Sequence, residues 1–252
     1  MLIITGGCSF TAHEIEENLS WAYQLAELPG YEVVNTATMA SGNGLISRNV
    51  LSALSEYKNV TPVVMIMWSS PNRFELFYDK NHPIQKEMQN HPAFYNNTWL
   101  KSGGGYGHWT FGSPIADKHT KIYLKQYHNQ EYQFMQTLEH ILRVQWYCQI
   151  NNIKLYNLCW QNIFYGNNSK DGSSYKNLSL DKKKSSKPII EQFPSCQHLW
   201  DMINWDNWHL YNRGGLWEFC IDKGYKIPHG LHPTAEAQRQ YLDEIVVPLL
   251  DR

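Results

Sequence analysis

The chain has 252 residues, with 22 basic and 23 acidic side chains and a formal charge of −1. That length suits one α/β domain with insertions, and the even charge excludes a protein held on nucleic acid mainly through phosphate contacts. Aromatic residues make up 14% of the chain against 18% charged, with ten Trp, more than one core of this size needs, so some are expected to line a cleft. Five Cys, at 8, 148, 159, 196 and 220, are scattered without CxxC spacing. Reduced cysteines are therefore expected, rather than a disulfide framework or a zinc ribbon. The segment from Met1 lacks the basic start and long apolar run of a signal peptide, and no apolar run approaches the ~20 residues of a membrane span. A soluble, cytoplasmic protein with neither nucleic acid nor membrane as partner is the expectation.

In chain order, Leu2 to Thr5 reads as a buried strand running into a tight turn at Gly6-Gly7. Residues 17–28 read as a helix with Leu19, Ala22, Leu25 and Ala26 on one face, stopped by Pro29-Gly30. Glu32 to Asn35 is a second strand and 44–57 a second helix. Val63 to Met67, apolar throughout, is a third strand of the kind buried in parallel sheets. Residues 73–127 break the rhythm and read as an insertion or cap over one end of the sheet. A long helix over 129–150 follows, with Met135, Leu138, Ile141, Leu142 and Trp146 as its core side, then a strand from Ile153 to Cys159. Residues 166–187 are polar and read as a mobile surface loop. A final helix is expected from about Pro233 to Leu250. The alternation predicts a three-layer α/β domain with a parallel sheet.

Ligands of such sheets sit beyond the carboxyl ends of the strands, which selects four stretches. Ser9, after the first strand, can present its hydroxyl at the rim, or serve simply as a helix cap; Cys8 is a rival nucleophile expected to point inward. Gly42-Asn43-Gly44 enters the second helix and offers amides and a carboxamide to an oxyanion. Trp68-Ser69-Ser70-Pro71-Asn72-Arg73 follows the third strand with several donors; the alternative is a solvated turn closed by an Arg73–Glu75 pair. His229-Gly-Leu-His232 precedes the last helix, where His232 can act as a general base. Read as two metal ligands, His229 and His232 lack further partners in the sequence, so no metal or organic cofactor is expected.

Together, Gly7-x-Ser9-Phe10-Thr11 near the start, the Gly/Asn loop, the polar turn after strand three and His232-Pro233 near the end form one pattern. It resembles the SGNH/GDSL hydrolase superfamily, particularly the divergent members of bacteriophage and bacterial genomes, over about residues 1–75, 129–160 and 216–252. The resemblance implies a flavodoxin-like three-layer α/β/α fold with a five-stranded parallel sheet, as a single domain over 1–252 with insertions at 76–128 and 161–215. It implies Ser9 as nucleophile and His232 as catalytic base. It also implies an oxyanion hole from the amides of Ser9 and Gly44, with Gly42 as fallback, and with Asn43. Two positions depart from the family pattern. Ser69 stands where the block-three Asn is usual, unless Asn72 or Arg73 takes that role. His229 stands where the triad acid is usual, which leaves a Ser9–His232 dyad, recruitment of Asp222 or Glu236, or loss of hydrolysis.

The function so implied is a serine esterase acting on a small-molecule or carbohydrate ester, with O-acetylated sugar as a candidate. Trp68, Arg73, Trp109 and Trp208 are the expected substrate-binding residues, beside Trp99, Tyr106, Trp200 and Trp205; alternatively Trp200, Trp205 and Trp208 dock their insertion onto the core. A fold-retaining carbohydrate- or host-binding protein is the rival function, and an acyltransferase on the same serine a third.

Overall fold

The computed structural model describes residues 1–12, 19–39, 41–79, 106–111, 126, 128–165, 187–225, 227 and 232–251, with 74–79 and 106–111 as backbone. It is an α/β structure built on a parallel sheet of four strands: β1 (Leu2–Gly7), β2 (Glu32–Asn35), β3 (Val63–Trp68) and β6 (Lys154–Cys159), in the order β2-β1-β3-β6. This order is compatible with a flavodoxin-like layout, but the expected fifth strand is not present among the described residues. At the free edge of β6 there is a single parallel bridge, Asn157 to Trp208, reinforced by the His209 amide donating to the Asn157 carbonyl at 2.9 Å. The chain arrives there from a 3-10 turn at Trp205–Asn207 and has buried Trp208 in the core, so no ladder extends beyond that bridge. A separate antiparallel pair, β4 (Phe74–Asp79) and β5 (Tyr106–Phe111), forms within the stretch read as an irregular insertion.

Side chains alternate across the sheet, as strand geometry requires. Ile4, Val64, Ile66, Trp68 and Leu155 face one core, shared with α2 (Asn43–Glu56) and α3 (Gln130–Ile150). Ile3, Met65, Met67, Tyr156 and Leu158 face the other, shared with α1 (Trp21–Ala26), α5 (Leu216–Asp222) and α6 (Ala235–Tyr241). Between β6 and α5 the chain makes short 3-10 turns and α4 (Gln197–Asp201). After α6 it passes through a π turn at Leu242–Val246 into α7 (Val247–Leu250). Pro248, which has no N–H to return to the preceding turn, accounts for that widened segment.

Three details differ from the sequence expectation. β1 runs to Gly7, because Gly6 and Gly7 continue the ladder opposite Ile66 and Met67. These glycines serve close packing rather than a turn: a Cβ on Gly6 would stand 2.5 Å from Val50 Cγ2, and one on Gly7 would stand 2.7 Å from Thr11 Cβ and 3.1 Å from the Met67 carbonyl. α1 is shorter than 17–28 and buries Trp21, Ala22, Gln24 and Leu25, while Ala26 is exposed. On α3, Phe134, Leu138, Ile141 and Leu142 are buried but Trp146 is 46% exposed, since it lies about a quarter-turn off the face continued by Gln145 and Cys148. The loop expected at 166–187 lies, but for its last residue, outside the described residues.

Candidate active site

Ser9 follows β1 with Cys8 between them. The Cys8 carbonyl accepts from the amides of Thr11 at 2.9 Å and Ala12 at 2.8 Å, so the chain turns at once and Ser9 stands at the turn. Cys8 is fully buried in the core shared with α1, α5 and α6, as expected of the neighbour that points inward. The turn is clamped from outside. The Thr11 carbonyl accepts from Ser20 Oγ at 2.8 Å and Asn35 Nδ2 at 2.9 Å, and Asn35 Oδ1 accepts from Thr5 Oγ1 at 3.0 Å.

His232 arrives from the opposite end of the chain. It precedes Pro233 and Thr234, whose hydroxyl caps α6 by accepting from the Ala237 amide at 3.3 Å. The first turns of α6 are tied to α1: Gln24 Nε2 donates to the Ala235 carbonyl at 2.9 Å, and the Trp21 amide donates to Gln238 Oε1 at 3.2 Å. The short run Ser20–Gln24 therefore holds both the serine turn and the histidine strap.

The result is that His232 Nε2 and Ser9 Oγ lie 2.7 Å apart, across 223 residues of sequence. With the proton on Nδ1, Nε2 accepts the serine hydroxyl hydrogen, the geometry a general base needs. Both side chains are half-buried. The Phe10 ring packs beside the imidazole, with centroids 4.8 Å apart, and also against Trp160 at 4.6 Å and Trp217 at 6.4 Å. Trp217 is brought there by the start of α5, where the Trp217 amide donates to the Trp160 carbonyl at 2.8 Å. Gly215 lies so close to the Cys159 carbonyl that a Cβ would overlap it. Trp160 in turn lies under the Arg73 guanidinium, whose Cζ is 5.9 Å from the ring centroid.

The expected oxyanion donors divide. Gly44 is in the first turn of α2, where amides have no intrahelical acceptor, and the contact of Gly6 with Val50 and Ile46 packs that helix directly over β1. Gly42 is the cap residue, and its carbonyl accepts from the Ile46 amide at 3.1 Å. The Asn43 carboxamide is committed to structure: Nδ2 donates to the Ser69 carbonyl at 3.0 Å and Thr137 Oγ1 at 3.1 Å, while Oδ1 accepts from the Ser69 amide at 2.8 Å. Both of its hydrogens are used, so it braces α2 against the end of β3 instead of facing an oxyanion. Ser69 is fully buried, and its hydroxyl accepts from Arg73 Nη1 at 3.3 Å. Asn72 is exposed in the following turn, its amide donating to Ser70 Oγ at 3.3 Å.

Of the expected substrate contacts, Arg73 is at the rim, and two tryptophans are corrected. Trp68 is fully buried and donates through Nε1 to Asn157 Oδ1 at 2.9 Å. Its place at the end of an in–out strand sends it to the α2/α3 core. Trp208 is 8% exposed and packs on Phe164 at 4.8 Å, edge to face, with Trp205 at 5.6 Å; together with Trp200 it docks the segment onto the core of α3. Trp109 falls in β5, whose side chains lie outside the description, as does that of Glu75 in β4. His229 and Trp99 are outside the described residues. Of the two acids expected as replacements, Asp222 accepts from the Tyr211 hydroxyl and Glu236 is exposed in the first turn of α6. Phe10, Trp160, Ser20, Gln24 and Asn35 were not anticipated as residues of the site. Trp160 had a usable signal, since it directly follows β6 and the rim rule applies to that strand as to the others.

All five cysteines are free and buried. Burial pushes the thiols of Cys148 and Cys220 up to about 12, the latter with help from the Glu218 charge, which leaves neither as a nucleophile. No helix among the described residues is long and apolar enough to cross a membrane. No family model matches the chain, and no curated protein or solved structure matches it either.

Proposed function

We propose that the protein is a serine ester hydrolase of the SGNH/GDSL kind, working through a Ser9–His232 pair. The observation that carries this reading is the 2.7 Å approach of His232 Nε2 to Ser9 Oγ at the carboxyl end of a parallel sheet. Ser9 Oγ attacks the ester carbonyl as His232 takes its proton. The tetrahedral oxyanion is received by the Ser9 amide and the first-turn amide of Gly44. Collapse expels the alcohol, which takes the proton back from His232. A water, deprotonated by His232, then cleaves the acyl-enzyme and restores both side chains. His229 stands where the family pattern has its acid, so the charge that steadies the imidazolium is not supplied from that position. Neutral ester and O-acetyl-sugar cleavage by the purified protein, abolished in Ser9→Ala, tests it; equal turnover by wild type and Ser9→Ala rejects it.

The mutual commitment of Asn43 and Ser69 favours a second reading. With that carboxamide and amide withdrawn, the donor set for an oxyanion is thin, as in a protein that keeps the fold and binds an ester or sugar without cleaving it. Saturable binding of the same compounds by wild type, with no turnover and no covalent labelling of Ser9, selects it.

A further inference from the structure

We infer that the ester received at Ser9 carries a carboxylate, and that the Arg73 guanidinium binds it; this rests on the serine-hydrolase reading above. Arg73 is connected to the reacting pair by an unbroken aromatic path. The imidazole of His232 packs on Phe10, Phe10 packs on Trp160, and the guanidinium stands over the Trp160 indole. Arg73 therefore belongs to the same rim as Ser9, entering from the ends of β3 and β6 instead of β1.

Its orientation is fixed before any ligand arrives. The Arg73 amide closes a turn on the Ser70 carbonyl at 3.1 Å, Nη1 donates to Ser69 Oγ at 3.3 Å, and the indole supplies a flat floor. Such stacking suits a planar, weakly hydrated guanidinium. Only one of its five N–H donors is used by that hydroxyl. None of the ion pairs Lys187–Glu191, Lys223–Glu244 and Arg239–Asp243 involves Arg73. A half-buried, pre-oriented cation with donors to spare is a receptor for an oxyanion ligand, and the guanidinium fork matches a carboxylate bidentately. A single positive charge complements a monoanion, which favours a carboxylate over a phosphate dianion.

The test uses two matched ester pairs. One places the carboxylate on the acyl side: the para-nitrophenyl half-ester of adipic acid against para-nitrophenyl hexanoate. The other places it on the alcohol side: para-acetoxybenzoate against its methyl ester. Wild type is expected to favour the anionic member of at least one pair by about tenfold in kcat/KM, with the preference weakened by added salt. Arg73→Gln should lower that ratio by about tenfold and Arg73→Lys should retain part of it. The ratio, unlike the rate, does not respond to a merely structural loss. A wild-type ratio near one in both pairs overturns the inference. So does an equal fall of both members in Arg73→Gln, which would assign Arg73 to the oxyanion or the fold. If wild type cleaves nothing and a fluorophosphonate leaves Ser9 unlabelled, the hydrolase reading fails by itself. The carboxylate site is then decided by calorimetry of monomethyl adipate on wild type and Arg73→Gln: binding that the substitution removes sustains it, and no binding overturns it.

Discussion

Gln24 donates its side-chain amide to the Ala235 carbonyl at 2.9 Å and to the Leu19 carbonyl at 2.8 Å, and so pins the start of α6 to α1. Ala235 is three residues beyond His232, so the histidine strap inherits its position from a residue outside the reacting pair. Gln24→Ala removes two part-buried hydrogen bonds and is expected to cost about 1–3 kcal/mol of stability. Turnover of a neutral ester, measured well below the unfolding midpoint, should fall about tenfold, because a small misplacement of a base costs rate steeply. A stability loss with unchanged turnover would show that His232 is held by other contacts.

Asn43 was expected to face an oxyanion, and the structure uses it as a brace between α2, β3 and α3. Asn43→Ala leaves the amide and carbonyl of Ser69, which is fully buried, and the Thr137 hydroxyl, 2% exposed, without this partner. The expected outcome is a loss of about 2–4 kcal/mol in denaturant unfolding. A variant of unchanged stability and lowered turnover would return Asn43 to the oxyanion hole.

The glycines rank by what their missing Cβ would strike. At Gly215 it would overlap the Cys159 carbonyl, which is backbone and cannot rotate away. At Gly7 it would meet Thr11, and the Met67 carbonyl at 3.1 Å; at Gly6 it would meet the movable Val50 methyl at 2.5 Å. Gly215→Ala is therefore expected to be the most damaging, at about 3 kcal/mol or more, Gly7→Ala next and Gly6→Ala least. Thermal unfolding midpoints of the three variants give the order directly.

His140 supplies a pH dependence unrelated to the reacting pair. Burial first, then the nearby Arg143 and Arg48 charges, push it down from 6.5 to about 4. Between those values the unfolded chain binds a proton that the folded one refuses, so stability rises with pH across this window and is lost as pH falls through it. The loss from this group approaches about 3 kcal/mol at pH 4. His140→Gln should lack that share, and urea unfolding at pH 7 and pH 4.5 measures it as the difference between wild type and variant. Identical pH slopes would contradict it.

Much of the frame was legible because burial enforces simple patterns. Val63 to Met67 is apolar throughout and became a central strand; Glu32 to Asn35 was bounded by turn residues; Ser9 and His232 follow from the rim rule and a family pattern. What was not legible is tertiary. Nothing local distinguishes Gly6-Gly7 as a packing site from a turn: Val50, which meets Gly6, lies far along the chain, and Thr11 meets Gly7 only because the chain folds back at Ser9. Trp68 and Trp160 both border a strand end, yet the in–out alternation sends Trp68 to the α2/α3 core and Trp160 to the side of Phe10. For Trp208 the sequence left open a rim role and a docking role, and Phe164 gives it the docking one as its core partner. Gln24 and Asn35 are unremarkable in sequence, and their roles exist only through carbonyls supplied by α6 and the Ser9 turn.

The central claim is that Ser9 is a nucleophile activated by His232. Intact-mass measurement after exposure to a fluorophosphonate tests it most directly, using wild type, Ser9→Ala and His232→Ala. The account predicts one adduct per wild-type chain, mapped to the peptide containing Ser9, none in Ser9→Ala, and labelling slowed about a hundredfold or more in His232→Ala. Folded wild-type protein that takes no adduct, or takes it on another residue, would contradict the account.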